Sequence, residues 1–424
     1  MNIELLDNTV LNRKYLIYVF VIGNLIRGYI YHFFPFIDVI YKYLFVIWPL
    51  VIIFSDLIRR KIVFDKYQTV LWLFLGIAIL SVIAGRKPAT FTVWESLIYF
   101  IMHAYIFFTA SRFYEKEEIQ AMIVRIAQIS FWVITVVAIC SCIFYVLFKA
   151  GIMLPFGLNS HDRLFTYGHY GNEDRFCGLF GYSTNGGNYC MTAAVLGIFL
   201  AEQKKLPVWG SVLGFILHFI TIYLLDVRTD ILILLVVLVV LLYRLLRKRL
   251  STVKSILVII CLFALLVTGF IILKQDAVAE LMRRVEENPY QASIDFSTGR
   301  TEFWVEILHQ LYQRPLLGWG WLNSDIIGYF DAHNLFINLF MWTGILGFGV
   351  FFVFLIMLCI EVFKNRKHIS KMYNSTLIIL MICAFLDSML DRGIAGTYYN
   401  LCTSLFWICG GFFVYLNSRK VIES

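Results

Sequence analysis

Charge is scarce in this chain. Asp, Glu, Lys and Arg supply 15% of its 424 residues, against 60% hydrophobic, whereas soluble domains carry about 25% charged residues. With a mean hydropathy of +0.78, this shortage excludes a water-soluble globular domain and makes an integral membrane protein the expectation. Nucleotide-binding loops are also missing. There is no P-loop and no GxGxxG, so ATP or nucleotide-sugar chemistry on the cytoplasmic side is not expected. The nine cysteines fall mostly inside apolar runs, with no CxxC pair and no Cys/His metal spacing. They read as small buried apolar residues, and neither a metal nor a cofactor is expected. No internal repeat or low-complexity segment is visible. No small-residue cleavage site follows the first apolar run, so that helix is expected to act as its own insertion signal.

What is present is a series of long apolar runs. About twelve occur, near 15–34, 37–58, 67–84, 91–110, 121–148, 187–202, 208–226, 229–244, 254–273, 334–361, 374–391 and 398–416. Each is close to the roughly 20 residues that a helix needs to cross a bilayer. The chain is therefore expected to be an all-α polytopic membrane protein, one integral domain over residues 1–424. The net charge of +8 comes from short basic clusters between runs. These include Arg59–Arg60–Lys61, Lys204–Lys205, Arg244 to Lys254 and Lys364 to Lys371. Threading twelve spans places seven such clusters on one side and one, at Arg86–Lys87, on the other. By the positive-inside rule the first side is cytoplasmic, together with both termini. The pattern is topological, and nucleic acid is not an expected partner.

That threading puts two long connections, about 150–186 and 274–333, on the outer face, with short turns at Leu225 to Asp230 and Asp391 to Gly396. Four polar positions stand out there: Arg175, Arg228 at the start of a span, Arg300, and His333–Asn334 in "DAHNLF". Arginine at the hydrocarbon boundary is usually paired or functional, and its forked donors match phosphate oxygens two at a time. For Arg228, pairing with the flanking Asp226 and Asp230 is an equal reading. For Arg163 and Arg175, snorkelling to lipid headgroups is the simpler one unless the loop folds back.

After Ser297–Thr298–Gly299, a helix is expected to run to Gln313 and stop before Pro315. Phe303, Trp304, Ile307, Leu308 and Leu311 form one apolar stripe at helical spacing, the mark of an interfacial helix. Arg300 lies in its first turn, where the helix dipole favours anions. His333 stands at the outer mouth of a span, with Asp331 or Asn334 placed to hold its tautomer; histidine is the usual general base near neutral pH. His103 and His218 read instead as packing histidines. Asp387 and Asp391 share a helix face ending at Arg392. They either bind sugar hydroxyls or position an arginine, or they form an internal salt bridge.

These segments carry a family likeness. "STGRTEFWVEILHQLYQRPLLGWGW" followed by "AHNLFINLFMWTGILGFG" resembles the motif pair of the O-antigen ligase and O-antigen polymerase superfamily. Upstream, "DRFCGLFGYSTNGGNYC" and "LLDVRTDILIL" are similar to its arginine-bearing segments, although "DVRTD" departs from the usual Ser-Arg-Gly or Ser-Arg-Ala. The likeness covers roughly residues 170–360. It implies a GT-C-like glycosyltransferase in the bacterial cytoplasmic membrane, working on the outer face with a glycan on undecaprenyl diphosphate and without nucleotide sugar or metal. Carried over, it implies that Arg228 and Arg300, with Arg175, bind the diphosphate. His333 acts on the acceptor hydroxyl, with Asn334, Asp331, Asp387 and Asp391 in support. Expected partners are the lipid-linked donor and acceptor, membrane lipids, a flippase and a chain-length regulator.

The first functional expectation is a polysaccharide polymerase that moves the growing chain onto a lipid-linked repeat unit. A ligase that moves the finished chain to lipid A core or a wall acceptor shares its donor and reaction. Heavy use of Ile, Phe, Tyr, Lys and Asn points to an AT-rich genome, common among capsule and exopolysaccharide producers without lipid A. A flippase or transporter is the third reading, but it calls for internal repeats and charge near the bilayer midplane.

Overall fold

A computed structural model describes the backbone at residues 17–18, 20–23, 25–26, 50–51, 53–55, 58, 65–85, 90–112, 116–152, 165–167, 174–246, 250–258, 260–261, 300–322, 332–365, 371–390 and 401–415. The elements in order are α1 (Lys66–Ile83), α2 (Phe91–Arg112), α3 (Lys116–Lys149), β1 (Phe165–Tyr167), β2 (Asp174–Phe176), α4 (Ser183–Glu202), α5 (Val208–Leu224), α6 (Arg228–Leu246), α7 (Arg300–Leu311), α8 (Leu335–Asn365), α9 (Lys371–Leu390) and α10 (Leu401–Tyr415). Within α1, α3 and α8, the stretches Lys66–Ile83, Glu117–Lys149 and Leu335–Asn365 are long and apolar enough to cross a membrane.

Which faces are buried shows what solvent these helices meet. Helix α5 buries Ser211, Gly214, His218 and Thr221, while Val208, Trp209, Val212, Leu213, Ile216 and Ile220 are exposed. Its outside is more apolar than its inside, the reverse of a helix in water. Helix α3 exposes Ile129, Trp132, Val136, Ile139, Ile143 and Val146, spaced three and four apart, and buries Ile126, Phe131, Ile134 and Ala138 behind them. Over that stretch the outward face of the helix is apolar, and the inward one carries Ser130, Thr135 and Ser141 among its apolar residues. The chain is a helical integral membrane protein.

Local sequence accounts for the helix ends. Asp65 caps α1, its Oδ1 accepting from the backbone N–H of Tyr67 and Gln68 at 2.9 Å each. Helix α3 opens on Glu117 and Glu118 and closes on Lys149, charges that complement its dipole. Helix α4 is buried along nearly its whole length and is the hub against which α3, α5, α6, α9 and α10 pack. A second nucleus is aromatic. The Phe74 ring lies 5.0 Å from those of Phe100 and Phe351 and 5.8 Å from Trp321, joining α1, α2 and α8 to the segment that follows α7.

Helix α8 is not one continuous rod. It breaks at Gly344, whose φ of 63° and ψ of −167° fall in a region open essentially to glycine alone. The segment Pro315 to Gly320 fills the break. Trp319 and Gly320 donate their N–H to the carbonyls of Met341 and Trp342 at 2.8 and 3.2 Å. Beyond the break, Ile345 and Leu346 donate to the carbonyls of Pro315 and Leu316 at 2.8 and 3.3 Å. Backbone groups that the break frees are thereby satisfied inside the protein, as a hydrocarbon solvent requires. Trp321 then anchors the wedge, donating from Nε1 to Ser96 Oγ at 2.6 Å.

Nine of the expected apolar runs coincide with described helices, and those expected at 15–34, 37–58 and 254–273 lie largely outside the described residues. Three differences matter. The expected single span at 334–361 is two helices hinged at Gly344. The span expected at 187–202 begins at Ser183, because the glycine-rich "TNGGNYC" is helical. The first long connection holds an unexpected antiparallel hairpin, Phe165 opposite Phe176 and Thr166 opposite Arg175.

Candidate functional site

The site begins at the corner leading into α8. Asn334 is the N-cap. Its Oδ1 accepts from Phe336 and Ile337 N–H at 3.0 and 3.2 Å, and its Nδ2 donates to the Met389 carbonyl on α9 at 3.0 Å. One asparagine therefore stops α8 from fraying and ties it to α9. The sequence offered Asn334 as a holder of the His333 tautomer; in the structure its oxygen accepts from the helix N–H groups. His333 itself is half-buried and adopts a left-handed φ of 49°, uncommon for any residue other than glycine although histidine enters it more often than most. The residue before it is held from two sides. Ala332 N–H donates to Asn338 Oδ1 at 2.8 Å, and the Ala332 carbonyl accepts from Trp304 Nε1 at 2.6 Å.

Trp304 belongs to α7, the helix that Arg300 opens. The buried stripe of α7 is Ile307, with Trp304 and Leu311 partly buried beside it, and it packs on α8. Leu308, expected in that stripe, is 53% exposed, which turns it towards the surrounding solvent with Val305. Arg300 is the first helical residue, one turn before Trp304 and on the same face by helical spacing. Helix α7 thus runs from Arg300, past the Ala332 contact, to the Pro315–Gly320 wedge. Trp304 is tied to Ala332, just before α8, and the wedge is tied to α8 itself. Arg314 braces the link, its guanidinium 5.2 Å from the Trp319 ring and Nη1 donating to the Ala84 carbonyl at 2.8 Å.

Arg228 opens α6 after a turn in which Asp226 has a φ of 52°. Its Nε lies 3.7 Å from Asp226 Oδ1, with side-chain exposures of 70% and 53%. An ion pair this open contributes about 0–1 kcal/mol, so it leaves the guanidinium available to a stronger anion. Asp230, the other flanking carboxylate, sits differently. It is buried and turned against α4, where a Cβ on Gly187 would fall within clashing distance of its Oδ2. Asp387 is buried on α9. The thiols of Cys383 and Cys402 lie within electrostatic reach of both Asp230 and Asp387, so the two carboxyl groups share one neighbourhood among α4, α6, α9 and α10. Asp387 is two residues from Met389, whose carbonyl holds Asn334.

Arg175 is in β2, and the residues that follow are seated on the end of α3. Phe176 meets Tyr145 with ring centroids 4.9 Å apart, and Leu179 N–H donates to Ser141 Oγ at 3.1 Å. The side chains of Arg175 and Arg300, and the whole of Asp331, Asp391 and Arg163, lie outside the described residues. Hydrogen bonds therefore join Trp304 of α7, through Ala332, to Asn338 of α8, beside His333 and the Asn334 cap that is tied to α9. The histidines read as packing residues behave so. His103 Nδ1 donates to the Tyr99 carbonyl at 2.8 Å, leaving Nε2 to face Ser404 Oγ at 3.3 Å. His218 Nε2 meets Thr135 Oγ1 at 3.2 Å.

Sequence reasoning passed over Trp304 and Asn338 as partners of Ala332. It placed Trp304 in an apolar stripe and Asn338 in a polar one, and neither pattern carries a long-range partner. It also missed Asn188, one position after Gly187. Both polar atoms of that side chain are buried without a hydrogen-bond partner among the described residues.

Comparison with known proteins bears on these residues. Residues 213–352 match the family profile described as O-Antigen ligase, a stretch that contains Arg228, Arg300, His333, Asn334 and both sides of the α8 break. The chain is also similar to the ComP-specific O-oligosaccharyltransferase of Acinetobacter baylyi, 20% identical over 154 residues, which is 33% of this chain. That match spans only 26% of the relative's length. The matched stretch falls within the residues whose motifs resemble that superfamily, and over it the chain is similar to O-antigen ligases.

Proposed function

We propose that this protein is a ligase-type glycosyltransferase that moves a preassembled glycan from a lipid diphosphate to an acceptor hydroxyl at the outer face of the cytoplasmic membrane. The observation that carries the reading is the joined series of contacts from Arg300's helix, through Trp304 and Ala332, to His333 and Asn334, all within the stretch similar to O-antigen ligases. In the reaction, the acceptor oxygen attacks the anomeric carbon of the donor sugar. The bond from that carbon to the phosphate oxygen breaks, and the diphosphate leaves with the electron pair. His333 takes the acceptor proton. Arg228 and Arg300, with Arg175 from the hairpin, hold the diphosphate and offset its growing charge. A diphosphate is already a good leaving group, so placement and fixed positive charge supply most of the acceleration. Asp387, with Asp331 and Asp391, supports the sugar side.

Similarity to the O-antigen ligase profile and to an O-oligosaccharyltransferase favours transfer to a separate acceptor over chain growth. The polymerase reading retains one observation of its own, the composition typical of capsule producers without lipid A. The test uses purified protein, a synthetic undecaprenyl-diphosphate oligosaccharide and EDTA, with no nucleotide present. Transfer only when a separate hydroxyl acceptor is added, lost in His333→Ala and Arg300→Ala, is the expected result. A ladder of products from donor alone would make the protein a polymerase. Donor left intact under every acceptor would overturn the enzyme reading.

A further inference from the structure

We infer that Trp304 and Asn338 are positioning residues that set the orientation of His333 by gripping the preceding residue, Ala332, through its carbonyl and its N–H. The inference rests on the transferase reading for its consequence in catalysis, but its geometry stands separately. His333 holds a φ of 49°, a conformation that an L side chain rarely keeps unless its surroundings impose it. Two hydrogen bonds impose it here, and both are to Ala332. The amide donates at 2.8 Å to Asn338 Oδ1, and the carbonyl accepts at 2.6 Å from Trp304 Nε1. Ala332 and Asn338 are fully buried, so no water competes for the amide bond, and losing either partner strands a buried peptide group. After His333 the chain is fixed again by the Asn334 cap and its bond to Met389. His333 thus sits between two immobilised neighbours, which fix the direction in which its side chain leaves the backbone.

The grip also has a donor side. Trp304 lies one turn after Arg300 on the same helix, so the hydrogen bond that fixes Ala332 also sets the distance from the α7 N-terminus to His333. Diphosphate held by Arg300 and acceptor hydroxyl held by His333 would then meet at a spacing determined by the Trp304 indole. A 1 Å misplacement of reacting groups can cost about a hundredfold in rate.

The test pairs turnover with a readout that needs no turnover. His333 is half-buried, and its rate of carbethoxylation by diethyl pyrocarbonate can be followed by peptide mass spectrometry in detergent-purified protein. Trp304→Phe keeps the ring and deletes the N–H. Asn338→Leu deletes the acceptor, and Asn338→Asp restores an acceptor oxygen. Trp304→Phe and Asn338→Leu are expected to label His333 severalfold faster and to lower kcat about tenfold or more with KM for the lipid donor little changed. Asn338→Asp is expected to recover much of what Asn338→Leu loses. Unchanged labelling in both deletions would overturn the inference, whether or not turnover falls. Faster labelling in variants of a protein that transfers no glycan would uphold the grip on His333 and sink the transferase reading alone.

Discussion

At the scale of single residues, Asn334 performs two separable tasks. Its oxygen caps α8 and its amide nitrogen holds α9. Removing a cap of this kind costs about 0.5–2 kcal/mol. Asn334→Asp keeps the capping oxygen and loses the donor to Met389, so it isolates the second task. The expected order of thermal unfolding midpoints in detergent is wild type, then Asn334→Asp, then Asn334→Ala. Equal midpoints for the two variants would show that the bond to α9 carries the whole effect. A residue pattern predicts the cap, because asparagine before an apolar run is a helix-start signal. It does not predict Met389 as a partner, 55 positions away in the chain.

At the scale of elements, the break in α8 and its wedge form one unit. A Cβ on Gly318 would approach the Met341 carbonyl to 2.6 Å, and one on Gly344 would fall within clashing distance of the Leu316 carbonyl. Backbone cannot yield there as a flexible side chain can, and both glycines have positive φ as well, 65° and 63°. Gly349, five residues beyond the break on the same helix, would place its Cβ in open space. Gly344→Ala and Gly318→Ala are therefore expected to abolish or severely reduce folded protein, read as the monodisperse fraction by size exclusion. Gly349→Ala is expected to match or slightly exceed wild type, since alanine is the better helix former by about 1 kcal/mol. Read as sequence, the three glycines on α8 look alike, as small residues that let helices approach. Only Gly344 proves to be a hinge, because only there does a second segment of backbone enter.

At the scale of the whole molecule, the apolar exterior of α3 and α5 determines where the protein can exist. Val212 and Ile216 lie on the exposed, apolar face of α5, and a charge near the middle of a spanning helix costs about 2.5–3.5 kcal/mol for insertion. Val212→Lys or Ile216→Lys is expected to lower the membrane-inserted fraction, measured by alkaline carbonate extraction. Ser211→Ala, on the inward face of the same helix, is expected to leave that fraction unchanged. A comparable loss from both faces would mean that α5 does not meet lipid on one side only. The same organisation explains how widely separated pieces reach one site. Helix α4 is surrounded by α3, α5, α6, α9 and α10, and their ends bring Arg228, Asp387 and the residues on α3 that seat the hairpin around it.

Composition and periodicity determine a great deal here without any coordinates. Scarce charge and long apolar runs specify helices in a membrane, because hydrocarbon leaves the backbone no other way to satisfy itself over such lengths. Order and spacing also bring out Arg300, His333 and Asn334 as positions that a purely spanning helix would not need. Tertiary structure alone decided how those residues are joined. The Trp304 bond to Ala332, the grip of Asn338, the Asp230 contact at Gly187 and the wedge at Gly344 all link parts of the chain brought together by packing. Periodicity records which face a residue occupies, but its partner across a contact depends on where another element comes to rest, and that is settled only when the helices pack.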